Sequence, residues 1–215
     1  MWYKVNKRLI GTQKIRPVRL PSAYQEVEYI QSSWTQYINT GVLMNPNYNV
    51  EVRYALLNYG NYNSIFGTRN WAYERYWARW LLSDNGIQLC KDASTTAQYA
   101  SMTGWDNTDV HIMRFWKEVY LDWVLKHTFT VNTSYTGTFT YPLYIWALNQ
   151  PWTVWDVSSL KLFYFKIWNT WWIIIRDFVP CYRKSDSVIW LYDLVNKQFY
   201  TNAWSWTFTK WPDVN

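Results

Sequence analysis

Glycine is scarce in this chain. Its 215 residues hold seven glycines, where ordinary usage of about 7% would give about 15. The last is Gly137; the final 78 residues have none, yet they carry ten of the 18 tryptophans. Cysteine is scarce too. Cys90 and Cys181 are too few for a disulfide framework and show no metal-binding spacing. The two histidines, His111 and His127, lie 16 residues apart with no ligand-spaced neighbour, which favours ordinary strand positions over a zinc site. Long apolar runs are missing. The runs present, such as Trp171–Ile175, are strand-sized and far short of the roughly 18 residues of a transmembrane helix. No apolar stretch of about 7–15 residues follows the basic N-terminus, so no Sec-type signal is expected. Long charge runs are also missing, and 49% of the residues are hydrophobic. That excludes a disordered chain and allows one sizeable core.

Acid is absent from residues 1–20, which hold Lys4, Lys7, Arg8, Lys14, Arg16 and Arg19. The formal charge of +6 therefore belongs to this segment, and the remainder is neutral. A basic arm over residues 1–20, followed by one domain over residues 21–215, is expected. With no basic face on the domain, nucleic-acid binding is not expected. The arm would be solvated or would dock on a neighbouring subunit.

The rest of the chain reads as short strands. Apolar side chains take every second place in Asn49-Val50-Glu51-Val52-Arg53-Tyr54. In Lys161–Ile167 the same alternation would set Leu162, Tyr164 and Lys166 on one side and Phe163, Phe165 and Ile167 on the other. Further strands are expected at Ala78–Ser83, Gly86–Cys90, Asp109–Trp116, Lys117–Asp122, Val124–Val131, Leu143–Leu148, Ile173–Val179 and Val188–Tyr192, with rim loops at Asn61–Ser64 and Ala93–Thr103. No window shows a helical period. About a dozen strands with turn signals between them predict an all-β, antiparallel two-sheet sandwich.

Such a fold needs tight turns, and tight turns need residues at φ > 0, where glycine has no steric cost. Tryptophan stands at several of these places. Asp122-Trp123 separates two strands where Asp-Gly is the expected pair, and Trp204 and Trp206 interrupt a small polar turn. Tryptophan is UGG in the standard code, whereas UGA is read as tryptophan in some variant codes and as glycine in others. The expectation is that Trp34, Trp123, Trp190, Trp204, Trp206 and Trp211 stand for glycine.

Several segments carry a resemblance. Lys161–Ile167, Arg176-Asp177-Phe178-Val179-Pro180-Cys181-Tyr182-Arg183-Lys184, Leu191-Tyr192-Asp193-Leu194-Val195-Asn196 and Phe199-Tyr200-Thr201-Asn202, together with Leu20–Ser33 and Tyr37-Ile38-Asn39-Thr40-Gly41, resemble the concanavalin A-like (LamG-like) jelly-roll domains of phage and prophage tail or minor structural proteins. The resemblance spans about residues 20–214. It implies a jelly roll in a virion or extracellular protein. Where the family pattern has glycine, this chain has Trp34, Trp123, Trp190, Trp204, Trp206 and Trp211.

Catalysis is not expected. Glycosidases on this fold need a carboxyl pair about 5–5.5 Å apart or somewhat more. The chain offers only Glu26-x-Glu28 near the domain edge, and the Glu-x-Asp-x-x-Glu motif of jelly-roll glucanases is absent. No cofactor is expected. Calcium is the one metal that Asp84, Asp92, Asp106 and Asp109 would suit, but no calcium-loop spacing is present. The expected role is a non-catalytic structural or adhesion module that binds host-surface glycan, with Asn70, Tyr73, Arg75 and Tyr76 as the contact residues, since aromatic faces stack on sugars and polar groups meet hydroxyls. The alternatives are a purely structural virion module that contacts tail subunits through residues 1–20, and a degenerate glycoside hydrolase.

Overall fold

The computed structural model describes residues 19–57, 62–70, 74–81, 86–93, 99–103, 108–130, 135, 137–204 and 206–214. These residues form strands and no helix. In chain order the strands are β1 (Tyr24–Glu26), β2 (Ile30–Gln31), β3 (Ile38–Leu43), β4 (Asn49–Leu56), β5 (Asn63–Arg69), β6 (Glu74–Leu81), β7 (Gly86–Ala93), β8 (Tyr99–Thr103), β9 (His111–Phe115) and β10 (Glu118–Leu121). They continue as β11 (Val124–Thr128), β12 (Pro142–Ile145), β13 (Leu148–Gln150), β14 (Thr153–Trp155), β15 (Leu160–Trp168), β16 (Ile174–Arg183), β17 (Ile189–Asp193), β18 (Gln198–Tyr200) and β19 (Thr209–Lys210). No helix long and apolar enough to cross a membrane occurs among the described residues.

The strands make two sheets. The larger runs β11-β10-β9-β4-β15-β16-β17-β18, with β1 beside β16 and β2 between β15 and β19. The smaller runs β14-β13-β5-β6-β7-β8, with β12 joining β3 and β5. Pairing is antiparallel except between β5 and β13. That exception arises where the chain kinks between β12, which runs antiparallel to β5, and β13, which runs parallel to it. The expected antiparallel two-sheet β-sandwich is the observed architecture. The proposed arm falls almost wholly outside the described residues, which begin at Arg19.

Alternation explains the layering. In β3 every second residue from Ile38 is buried, and in β4 Val50, Val52 and Tyr54 point inward. Between the sheets Phe66 packs edge-to-face on Phe115 and Phe165 at 5.4 and 5.5 Å, and Tyr76 meets Phe115 at 5.0 Å. Each such ring removed from water contributes about 1.5–3 kcal/mol. Gly67 sits beneath this layer, where a Cβ would lie 2.6 Å from Leu148 Cδ1 and 3.1 Å from Trp77 Cβ. Its lack of a side chain is what lets β5, β6 and β13 approach.

Two free cysteines lie in small clusters apart from the main core. Cys181 packs with Leu20, Val179 and Tyr192, and Cys90 with Trp77 and Leu148. Burial pushes the Cys181 thiol up to about 12 and raises the Cys90 thiol further.

Three expectations are corrected. β6 begins at Glu74, not Ala78, so the expected contact residues Arg75 and Tyr76 lie on a strand. Asn63 and Ser64 open β5 rather than forming a rim loop. Tyr99–Thr103, expected as loop, is the edge strand β8; the alternation of Ala100 and Met102 with Ser101 and Thr103 is too short to stand out from the polar stretch before it.

Phe66→Ala removes the ring that touches both sheets. It is expected to lower the unfolding free energy by about 3–5 kcal/mol, measured by denaturant titration, with the strand signal of the folded state retained at low denaturant.

Candidate functional site

A recess of about 540 Å³ opens on the outer face of the larger sheet. Its floor is Glu51, Arg53, Phe163, Tyr164 and Lys166, and its rim includes Arg19, Glu26, Glu28 and Val214. The floor follows from register. Lys166 pairs with Glu51 and Tyr164 with Arg53 across β15 and β4, and alternation sends these side chains away from the core that Val50, Val52, Phe165 and Ile167 enter.

Phe163 is the exception. A register shift between Leu162 and Tyr164 sets two consecutive residues toward the same side. Leu162 stays in the core while Phe163 joins Tyr29 and Ala55 in an outer cluster. The expected placement of Leu162 beside Tyr164 and of Phe163 opposite it is therefore corrected at both residues. The bulge turns an aromatic ring into part of the floor.

The electrostatics of the floor are well defined. Arg114 Nε donates to Glu51 Oε2 at 2.7 Å, and the Tyr164 hydroxyl donates to Glu51 Oε1 at 3.0 Å. Both carboxylate oxygens are thereby engaged. Burial, then the neighbouring Glu51 charge, raises the Tyr164 phenol well above its ordinary value, so it remains a donor. Lys166 pairs with Asp177 at 3.4 Å. Arg53 lies over the Phe163 ring, 4.6 Å from its centroid, with no carboxylate partner among the described residues. On the rim Arg19 pairs with Glu26.

The four residues singled out from sequence lie elsewhere, at the smaller sheet. Asn70 ends the β5 side of the hairpin; its N–H donates to the Glu74 carbonyl at 2.8 Å and its side chain to Thr140 Oγ1 at 3.4 Å. Arg75 is half-buried on β6, with Nη1 shielded from solvent and without a hydrogen-bond acceptor among the described residues. Tyr73 lies outside the described residues. Tyr76 is fully buried, and its hydroxyl donates to the Tyr48 carbonyl at 3.0 Å. Tyr76 is thus a core residue and presents no face to a ligand: the strand that begins at Glu74 points it inward. The Glu51 recess was missed because its residues come from two strands far apart in sequence, joined only by register.

Of the acids considered for calcium, Asp92 is buried on β7 and Asp109 is exposed before β9, while Asp84 and Asp106 lie outside the described residues. No group of three or more His, Cys, Asp or Glu that could hold a metal occurs among the described residues. His111 instead meets Asp122 Oδ2 at 2.7 Å, and the Ile112 N–H donates to Asp122 Oδ1 at 2.9 Å, fixing the β10–β11 turn. Asp193 is likewise structural. It is fully buried, accepts the Asp177 and Val195 N–H groups at 2.9 and 3.0 Å, and lies 3.5 Å from Arg176.

A smaller cleft of about 300 Å³ is lined by Asn49, Lys91, Trp116 and Trp172 among others. Lys91 is buried there and forms no ion pair among the described residues. Its ammonium donates to the Tyr48 carbonyl at 2.7 Å and Asn49 Oδ1 at 3.3 Å, over the rings of Tyr76 and Phe115. Burial lowers its pKa from 10.5 to about 7. Between these values the unfolded chain binds the extra proton, so stability rises with pH. The unfolding free energy is expected to increase from pH 7 to pH 9.5 by up to about 1.4 kcal/mol per unit. Denaturant titrations across that range check this, and Lys91→Met should flatten the rise.

Comparison of the chain with protein families, with curated proteins and with solved structures finds no match.

Proposed function

We propose that this chain is a non-catalytic adhesion module, a concanavalin A-like jelly roll of a phage or prophage structural protein, and that it binds a surface glycan in the Glu51 recess. The observation that carries this reading is the recess floor. Half-buried Tyr164 brings aromatic surface beside Arg53, Lys166 and Glu51, with buried Phe163 supporting the Arg53 guanidinium from below, and sugar sites combine stacking faces with a few placed polar groups. Of the two floor cations, Lys166 has Asp177 as its partner while Arg53 has none among the described residues. Arg53 is therefore the group that would meet a carboxylate on an acidic sugar. The resemblance of Leu20–Ser33 and Lys161–Asn202 to phage jelly rolls supplies the setting; fold alone does not supply function.

The floor speaks against the hydrolase alternative. Glu51 is the carboxylate of the floor, held as an acceptor by Arg114 and Tyr164, whereas a glycosidase works with a pair of carboxyls flanking the bond it cuts. The purely structural alternative has a different signature, a defined oligomer that dissociates when residues 1–20 are removed.

Binding to a panel of neutral and acidic surface polysaccharides tests the reading. The protein is expected to retain acidic members preferentially, and Arg53→Ala to weaken that binding about tenfold, or about 1.4 kcal/mol, with an unchanged unfolding midpoint. Binding to no glycan would overturn the proposal, and release of reducing ends would replace it with the hydrolase.

A further inference from the structure

Ten non-glycine residues among those described have positive φ, and five are tryptophan: Trp34 at 70°, Trp123 at 70°, Trp146 at 69°, Trp152 at 73° and Trp172 at 59°. Asn and Asp tolerate this region by bonding their own backbone, but for a bulky side chain it is an outlier because Cβ crowds the carbonyl oxygen. Meanwhile Gly41 is the one described glycine that uses it.

Each position is one where the local backbone demands glycine. Asp122 and Trp123 form a two-residue loop between paired Leu121 and Val124, both with positive φ, which is the turn that selects Asn-Gly or Asp-Gly. Pro151-Trp152 joins paired Gln150 and Thr153. Proline followed by a positive φ is the type II pattern, with glycine called for at the second place. Trp172 closes the β15–β16 loop, its N–H donating to the Asn169 carbonyl at 3.1 Å, just before the register shift opposite Trp168; the left-handed residue of such a bulge is glycine. Trp146 makes the kink between β12 and β13, and Trp34 lies in the loop before β3.

Three of these indoles gain little from burial: Trp152 is 97% exposed, Trp123 64% and Trp172 58%. Trp146 differs: its ring is fully buried in the main core, 4.8 Å from Phe208, although its Nε1 has no acceptor among the described residues. Strain gathered at a functional site would be a rival account, yet the five positions are scattered over both sheets and none lines the Glu51 recess. Trp190, Trp204, Trp206 and Trp211 do not have positive φ, so the backbone makes no such demand of them.

We infer that residues 34, 123, 152 and 172 are glycine in the functional protein, encoded by UGA and inserted by a translation apparatus that reads UGA as glycine; the buried Trp146 ring is left out because it fills the core. UGA is assigned to glycine in some codes and to tryptophan in others, so translation with a UGA-as-tryptophan table would write an indole where the ribosome places no side chain.

The test is made on the gene and on the protein from its natural source. Trypsin releases Glu118–Lys126 between Lys117 and Lys126. UGA at codon 123 and glycine in that peptide are the expected result; UGG, or a peptide carrying tryptophan, would overturn the inference. Recombinant chains add a second reading. Trp123→Gly and Trp152→Gly are each expected to raise the thermal midpoint by about 2–4 °C, while Trp152→Ala, which keeps Cβ, does not. Equal gains from glycine and alanine at 152 would show that loss of the exposed indole, not relief of the backbone, is responsible, and would count against the assignment.

Discussion

Burial of alternate side chains between two sheets is the constraint on which everything else in this molecule rests. Phe66, Tyr76, Phe115 and Phe165 meet in one aromatic layer, and they do so because each strand sends every second residue inward. The outward residues are then free to carry chemistry. Glu51 and Arg53 are available at the surface for the same reason that Val50 and Val52 are absent from it. Among the described residues Lys91 brings its amine to the edge of this layer, where two acceptors and two rings surround it.

Sheets so closely packed need abrupt reversals at their ends. The loops at 122–123 and 151–152 are as short as a hairpin permits, and brevity leaves the backbone no choice of φ. Asp122 shows how a side chain can help. It accepts the Ile112 N–H and holds His111, so its own positive φ is tied into the sheet. Trp123 beside it has only the Arg114 guanidinium stacked 3.7 Å from its ring.

Much of the architecture was legible in the sequence because the period of two is strong in β4 and β15. The 122–123 reversal was legible from a single dipeptide. The candidate site was not. It depends on a register shift between Leu162 and Tyr164, and no residue there announces a bulge, so strict alternation placed Phe163 on the wrong side. It also depends on which strands become neighbours, and Glu51 and Lys166 are joined only by long-range pairing. Tyr76 misled for a related reason. An aromatic next to arginine and glutamate looks like a surface group until the strand is known to begin at Glu74, after which its inward direction follows.

The placement of the two thiols has its own consequence. Cys181 and Cys90 sit in separate small clusters, one on β16 of the larger sheet and one on β7 of the smaller, both shielded and both held as thiols by burial. An alkylating reagent needs a thiolate that it can reach. Modification of either cysteine would therefore record the opening of its own sheet, so that each half of the sandwich carries a built-in chemical clock for its unfolding.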